Sequence, residues 1–243
     1  MDPKVLTALI AAAVAVISAI ISIVAQIRLA RFKAELDEQK EARSKHQQAA
    51  AILSRFRDPL VHAAYELQAK LFNTLRQGLL EVYHVRGNES EKEYTVQNTI
   101  HVIAQYLCWR EIIRREVQFL DLGEIGSTKK LTELLDRVDE LFLTDKYSRV
   151  FRIFRGEQRA IGEKMITRED GKPGCMGYGL FVECHDERFR RWFRQLEKDI
   201  EILSKDLPSH AERLIHLHHA LIDLIDYLDP NCIRFQKEYR KKV

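Results

Sequence analysis

The chain has 243 residues, with 39 Lys and Arg against 36 Asp and Glu, for a formal charge of +3. So balanced a charge excludes a bulk electrostatic nucleic-acid binder and an acidic solvating chain. Four cysteines (Cys108, Cys175, Cys184 and Cys232) stand without a C-x-x-C pair or close, regular spacing; in a cytosolic domain they are expected as reduced thiols, and in a periplasmic one a disulfide pair is the alternative.

The first element is Val5–Ile27, 23 residues without a charge, whose polar members are Thr7, Ser18, Ser22 and Gln26. As a helix it spans roughly 34 Å, enough to cross a bilayer core with some tilt. It exceeds the roughly 7–15-residue apolar core of a signal peptide, and Asp2 and Lys4 ahead of it nearly cancel. Arg28, Arg31 and Lys33 follow as a stop-transfer flank. Basic residues prefer the cytoplasmic side, so the N-terminus is expected outside the inner (plasma) membrane and residues 28–243 inside. Ala11, Ala15 and Ala19 recur every four residues, a small-residue ridge on which two anchors can pack closely.

Residues 28–57 are rich in Ala, Glu, Gln, Lys and Arg and contain no Gly or Pro, which predicts a helix continuing out of the membrane. Leu29, Phe32, Leu36, Ala50 and Leu53 fit a seam at 3-4 spacing, but Arg43 and His46 interrupt it. A solvated stalk fits better than a coiled coil.

Residues 58–243 read as one helical bundle. Asp58 as N-cap and Pro59 at the first helical position predict a helix to about Val85, with Leu60, Ala64, Leu67, Leu71, Leu75 and Leu79 on one face. A polar loop, Arg86–Glu93, separates it from a second helix over about Tyr94–Leu120. After Gly123 and Gly126, a third runs over about Lys129–Phe142, with Leu131, Leu134, Leu135, Val138 and Leu141 as its stripe. Thr144–His185 holds six of the ten glycines: Gly156, Gly162, Gly171, Gly174, Gly177 and Gly179. It predicts a short helix near Glu157–Ile166, an irregular "TREDGKPGCMGYG" and a short strand at "YGLFVE". Helices resume over about Asp186–Ser204 and Pro208–Leu228, and Pro230 ends the last. The expected fold is all-α: an anchor (1–27), a stalk (28–57), and a cytoplasmic bundle (58–243) of about five to six helices with one irregular Gly-rich segment.

Three constellations carry chemistry. Arg152, Arg155 and Arg159 on one side of the Gly-rich segment, and Arg188, Arg191 and Arg194 on the other, are candidates for holding a phosphorylated ligand, anionic lipid heads, or simply surface acids. Neither a dinucleotide-binding nor a P-loop glycine pattern accompanies them. His216, His219 and Asp223 share a helix face at i,i+3 and i,i+4 spacing, a candidate metal stripe set against a plain solvated face. Cys175, Cys184 and His185 are close in sequence but lack zinc-site spacing.

No catalytic set is complete, and no cofactor is expected. The chain therefore reads as a non-enzymatic interaction, scaffold or sensor module tethered at the inner membrane face. Its expected partners are membrane lipid and a protein partner or second copy, not nucleic acid. The alternatives are a membrane-disrupting effector of toxin or phage-defence type, whose soluble part controls oligomerisation of the anchor, and an enzyme or sensor for a phosphorylated ligand.

Overall fold

The computed structural model describes residues 3–117, 125–184 and 186–243; the side chains of 3–21, 24–25, 42, 45–54, 117 and 125–128 are not among those described. The chain divides into two units, Met1–Ala49 and Ala50–Val243.

The chain is mostly helical, as the 3.6-residue periodicity demands. The first unit consists of helix α1, which covers Pro3–Arg76 and so extends into the second unit. In the first unit the described side chains, among them Ile23, Ile27, Leu29, Phe32 and Leu36, are all exposed. Among the described residues no helix is long and apolar enough to cross a membrane. The side chains of most of Val5–Ile27, and of Ala11, Ala15 and Ala19, lie outside the described ones.

In the second unit, α1 continues through Pro59 instead of starting there, which corrects the expected break at "RDPL". An interior proline removes one backbone hydrogen bond and costs about 3 kcal/mol. The buried row Phe56, Leu60, Val61, Ala64, Leu67 and Leu71 offsets that cost, because each large apolar side chain contributes roughly 1.5–3 kcal/mol. Asp58 does not cap; its carboxylate accepts a hydrogen bond from Arg234. The helix ends at Arg76, ahead of Gly78, and Leu80–Val85 forms a π-helical turn where an α-helix was expected. Asn88 begins α2 (Glu89–Val117) with a capping box: the Glu91 amide donates to Asn88 Oδ1 at 3.0 Å, and the Asn88 amide donates to Glu91 Oε2 at 2.8 Å. The expected loop is correspondingly shorter.

Then come α3 (Ile125–Leu143) and α4 (Arg155–Met165). The segment expected to be irregular is a β-hairpin, β1 (Ile166–Glu169) antiparallel to β2 (Lys172–Cys175), with Ile166 opposite Cys175. Asp170 and Gly171 both take positive φ, 50° and 74°, the conformation that a two-residue hairpin turn of type I′ requires. "YGLFVE" is a helix, α5 (Tyr178–Glu183), and not a strand. Its six residues bury Phe181 against Phe189 and Phe193, whose rings lie 5.8 and 5.2 Å away. The expected helix from Asp186 is broken into α6 (Glu187–Arg190), capped by Asp186, and α7 (Arg194–Lys205). A 3-10 turn, Pro208–His210, leads into α8 (Ala211–Leu228).

One hydrophobic core joins this unit. It runs from the α1 row through Ile100, Ile103 and Leu107 of α2 and Val138 of α3 to Leu214, Leu217, Leu221 and Leu224 of α8.

Candidate functional site

Helix α2 places Arg110, Glu111 and Arg114 on neighbouring positions of one face, since residues i and i+4 stack one turn apart. Helix α4 crosses this face at Gly162. A methyl group there would stand 2.5 Å from the Leu107 carbonyl oxygen and 2.8 Å from Glu111 Cβ, so only glycine lets the two helices approach this closely. The crossing brings Arg155, Gln158 and Arg159 of α4 beside Arg110 and Arg114, and α3 supplies Asp139. Together with Leu107 and Glu111 these residues line one small cleft.

Hydrogen bonds fix most of its members. Glu111 is 2% exposed. It accepts from Arg114 Nε at 2.7 Å and Nη2 at 2.6 Å, and from Arg115 Nε at 2.6 Å. Burial pushes the Glu111 pKa up, but the two guanidiniums outweigh it and hold the carboxyl below its usual range. Asp139 Oδ2 accepts from Arg110 Nε at 3.1 Å and from Arg155 Nη1 at 3.3 Å. Its Oδ1 is buried without a partner among the described residues. Burial raises the Asp139 pKa despite both arginines. Gln158 donates to the carbonyls of Asp139 and Ile153 at 3.0 and 2.8 Å, tying α3 to the start of α4.

The six candidate arginines thus separate. Arg155 and Arg159 reach the cleft. Arg152 does not line it; its guanidinium lies 5.1 Å from the Phe154 ring centre. Arg188, Arg191 and Arg194 belong to the α6–α7 segment and are exposed. Arg191 covers Trp192 at 4.7 Å, and Arg194 pairs with exposed Glu187. The Phe154 amide is occupied by Glu157 Oε2 at 2.9 Å.

The metal stripe is not assembled. The His216 ring stacks on Tyr147 at 5.0 Å, and His219 Nε2 lies 2.8 Å from the Val243 carbonyl oxygen. Asp223 is neutralised by Arg137 at 3.1 Å and Lys242 at 2.6 Å. Sharing a helix face does not make ligands converge when each is drawn to a different neighbour. Among the described residues no group of three or more His, Cys, Asp or Glu can hold a metal ion. Cys175 sits beside buried Cys108 rather than in a set with Cys184; the Cys175 thiol and burial both push the Cys108 thiol well up, so it stays protonated. His185 lies outside the described residues.

Sequence reasoning missed Arg110, Glu111, Arg114 and Asp139. The signal available was "WREIIRRE", in which acid and base alternate at i,i+3 and i,i+4 inside an otherwise buried helix. It also missed two buried polar anchors. Arg213, fully buried, donates to the carbonyls of Leu141, Phe142, Thr144, Ser148 and Val150. His218, also fully buried, pairs with Gln68 at 2.8 Å, and burial lowers its pKa to about 4, with His219 adding to the effect.

No protein-family model, curated protein or solved structure matches the chain.

Proposed function

We propose that the chain is a single-pass membrane protein, anchored through Val5–Ile27 with its N-terminus outside, whose helical second unit works at the inner membrane face as a non-enzymatic interaction or sensor module. The observation that carries this reading is the exposure of Ile23, Ile27, Leu29 and Phe32 (56%, 49%, 55% and 58%) on one ten-residue stretch of α1. Apolar side chains of this size gain roughly 1.5–3 kcal/mol each when fully removed from water. A bilayer core accepts Ile23 and Ile27. The interface accepts Leu29 and Phe32, set between the basic Arg28, Arg31 and Lys33.

A binding role, rather than catalysis, is supported by how the buried polar groups are used. Arg213 caps five carbonyls, and Arg240 holds Asp229 and the Phe235 carbonyl. These groups fasten loops to helices. Fractionation of the full chain tests the reading. It should stay with membranes through an alkaline carbonate wash, and protease should digest the second unit in inverted vesicles but not in intact cells. Release by carbonate would sink the anchor, and digestion in intact cells would reverse the orientation.

A further inference from the structure

Arg159 is a guanidinium without a hydrogen-bond or ion-pair partner among the described residues, on the rim of a cleft already lined by Arg110, Arg114 and Arg155. The other three are braced by carboxylates but not saturated. Arg114 uses Nε and Nη2 on Glu111, and Arg110 uses Nε and Nη2 on Asp139 and Asp136. In both, Nη1 has no acceptor among the described residues. Braced arginines with unused donors are pre-organised for an oxyanion, because the entropy of ordering the long side chains is already lost in the unliganded protein. The lining carries four cations against two anions, Glu111 and Asp139, while Asp136 and Glu140 pair with Arg110 and Arg155 from outside it.

A second observation narrows the anion. Asp139 lines the same cleft, is 5% exposed, and has an Oδ1 with no hydrogen-bond donor among the described residues. A buried carboxylate oxygen left unpaired is costly and calls for a donor. We propose that this cleft binds inorganic hydrogen phosphate, or a phosphomonoester in its singly protonated form, with its unprotonated oxygens on Arg114, Arg155 and Arg159 and its P–OH donating to Asp139 Oδ1. Sulfate, which carries no proton at neutral pH, cannot make the last bond and meets the carboxylate as a like charge. The site is independent of the anchor: loss of membrane attachment leaves it in place.

The test is calorimetric titration of the full chain in detergent with inorganic phosphate and, separately, with sulfate. Phosphate should bind in preference to sulfate by about tenfold or more, the factor that one charge-assisted hydrogen bond provides. R159A, at an exposed position without a partner, should fold normally and weaken phosphate binding at least about tenfold, whereas R191A should leave it unchanged. Equal binding of sulfate, or an R159A protein that binds phosphate as the parent does, would overturn the proposal. So would a flat phosphate titration at millimolar concentration. Nanodiscs of phosphatidylcholine with and without phosphatidic acid then separate the two sources. Stronger binding to phosphatidic acid than to free phosphate assigns a lipid headgroup, and the reverse assigns a soluble phosphate.

Discussion

The α2–α4 crossing and the α6–α7 segment carry similar sequence: arginines at helical spacing with aromatic residues close by. At the crossing, Gly162 draws two helices together, Glu111 and Asp139 are buried, and the arginines converge. On α6–α7, Arg188, Arg191 and Arg194 stay exposed, with Glu187 and the face of Trp192 as partners. The difference teaches that a cluster of arginines becomes a site when buried acids hold it, and stays solvated surface when its acids are solvated too.

The largest way to break this contrast is Gly162→Leu. The new side chain would meet the Leu107 backbone, which cannot swing aside, so the loss should be on the order of 4 kcal/mol. Gly179→Ala, with open space around it, should stay within about 0.5 kcal/mol. Chemical denaturation of both variants measures the pair.

Acid supplies the next effect and limits where the comparison is made. The unfolded chain protonates His218 near 6.5, the folded chain only at about 4. Between those values the unfolded state binds the extra proton, so stability falls as pH drops through this window, by about 3 kcal/mol in full. His218→Gln should flatten that part of a stability-against-pH curve. Glu111, depressed by its arginines, acts in the same direction at lower pH: its contribution is present above the ordinary carboxylate range and is lost as pH falls through its folded value. The two arginine regions are therefore best compared at pH 7 or above.

Smaller still is Glu111→Gln, which leaves Arg114 and Arg115 without their shared carboxylate. It should cost roughly 2 kcal/mol, against at most about 0.5 kcal/mol for Glu187→Gln at the exposed pair with Arg194. Equal losses in the two variants, read as shifts in denaturation midpoint, would erase the contrast. The smallest effect is expected from Arg159→Ala and Arg191→Ala. Each should leave stability within about 0.5 kcal/mol, so that any difference in phosphate binding between them reports the site and not the fold.

Most helices were legible because their apolar stripes repeat every three to four residues over long stretches. The buried faces of α1, α3 and α8 fall on the residues that periodicity selects, such as Leu60, Leu67, Val138 and Leu221. Boundaries were less legible where local chemistry and packing disagree. Pro59 reads as a helix start, yet the buried row around it keeps α1 continuous. "YGLFVE" has the apolar, β-prone look of a strand but folds as a helix that seats Phe181 among Phe189 and Phe193. The hairpin turn was written in Asp170-Gly171 but is flanked by Lys and Pro rather than by an apolar alternation. Two of the cleft's eight lining residues, Arg155 and Arg159, stood out in sequence. Five others sit on α2 and α3, which only the fold brings near.

By itself the sequence determined the helical character, the uncharged run Val5–Ile27 with its basic flank, and the apolar faces of the bundle, because these depend on residues a few positions apart. Tertiary structure alone decided which polar groups are buried and what they meet: Glu111 and Asp139 under the arginines, Arg213 on five carbonyls, His218 on Gln68. Burial and electrostatic pairing are properties of neighbours in space. Those neighbours lie up to 150 residues apart in the chain, as Gln68 and His218 do.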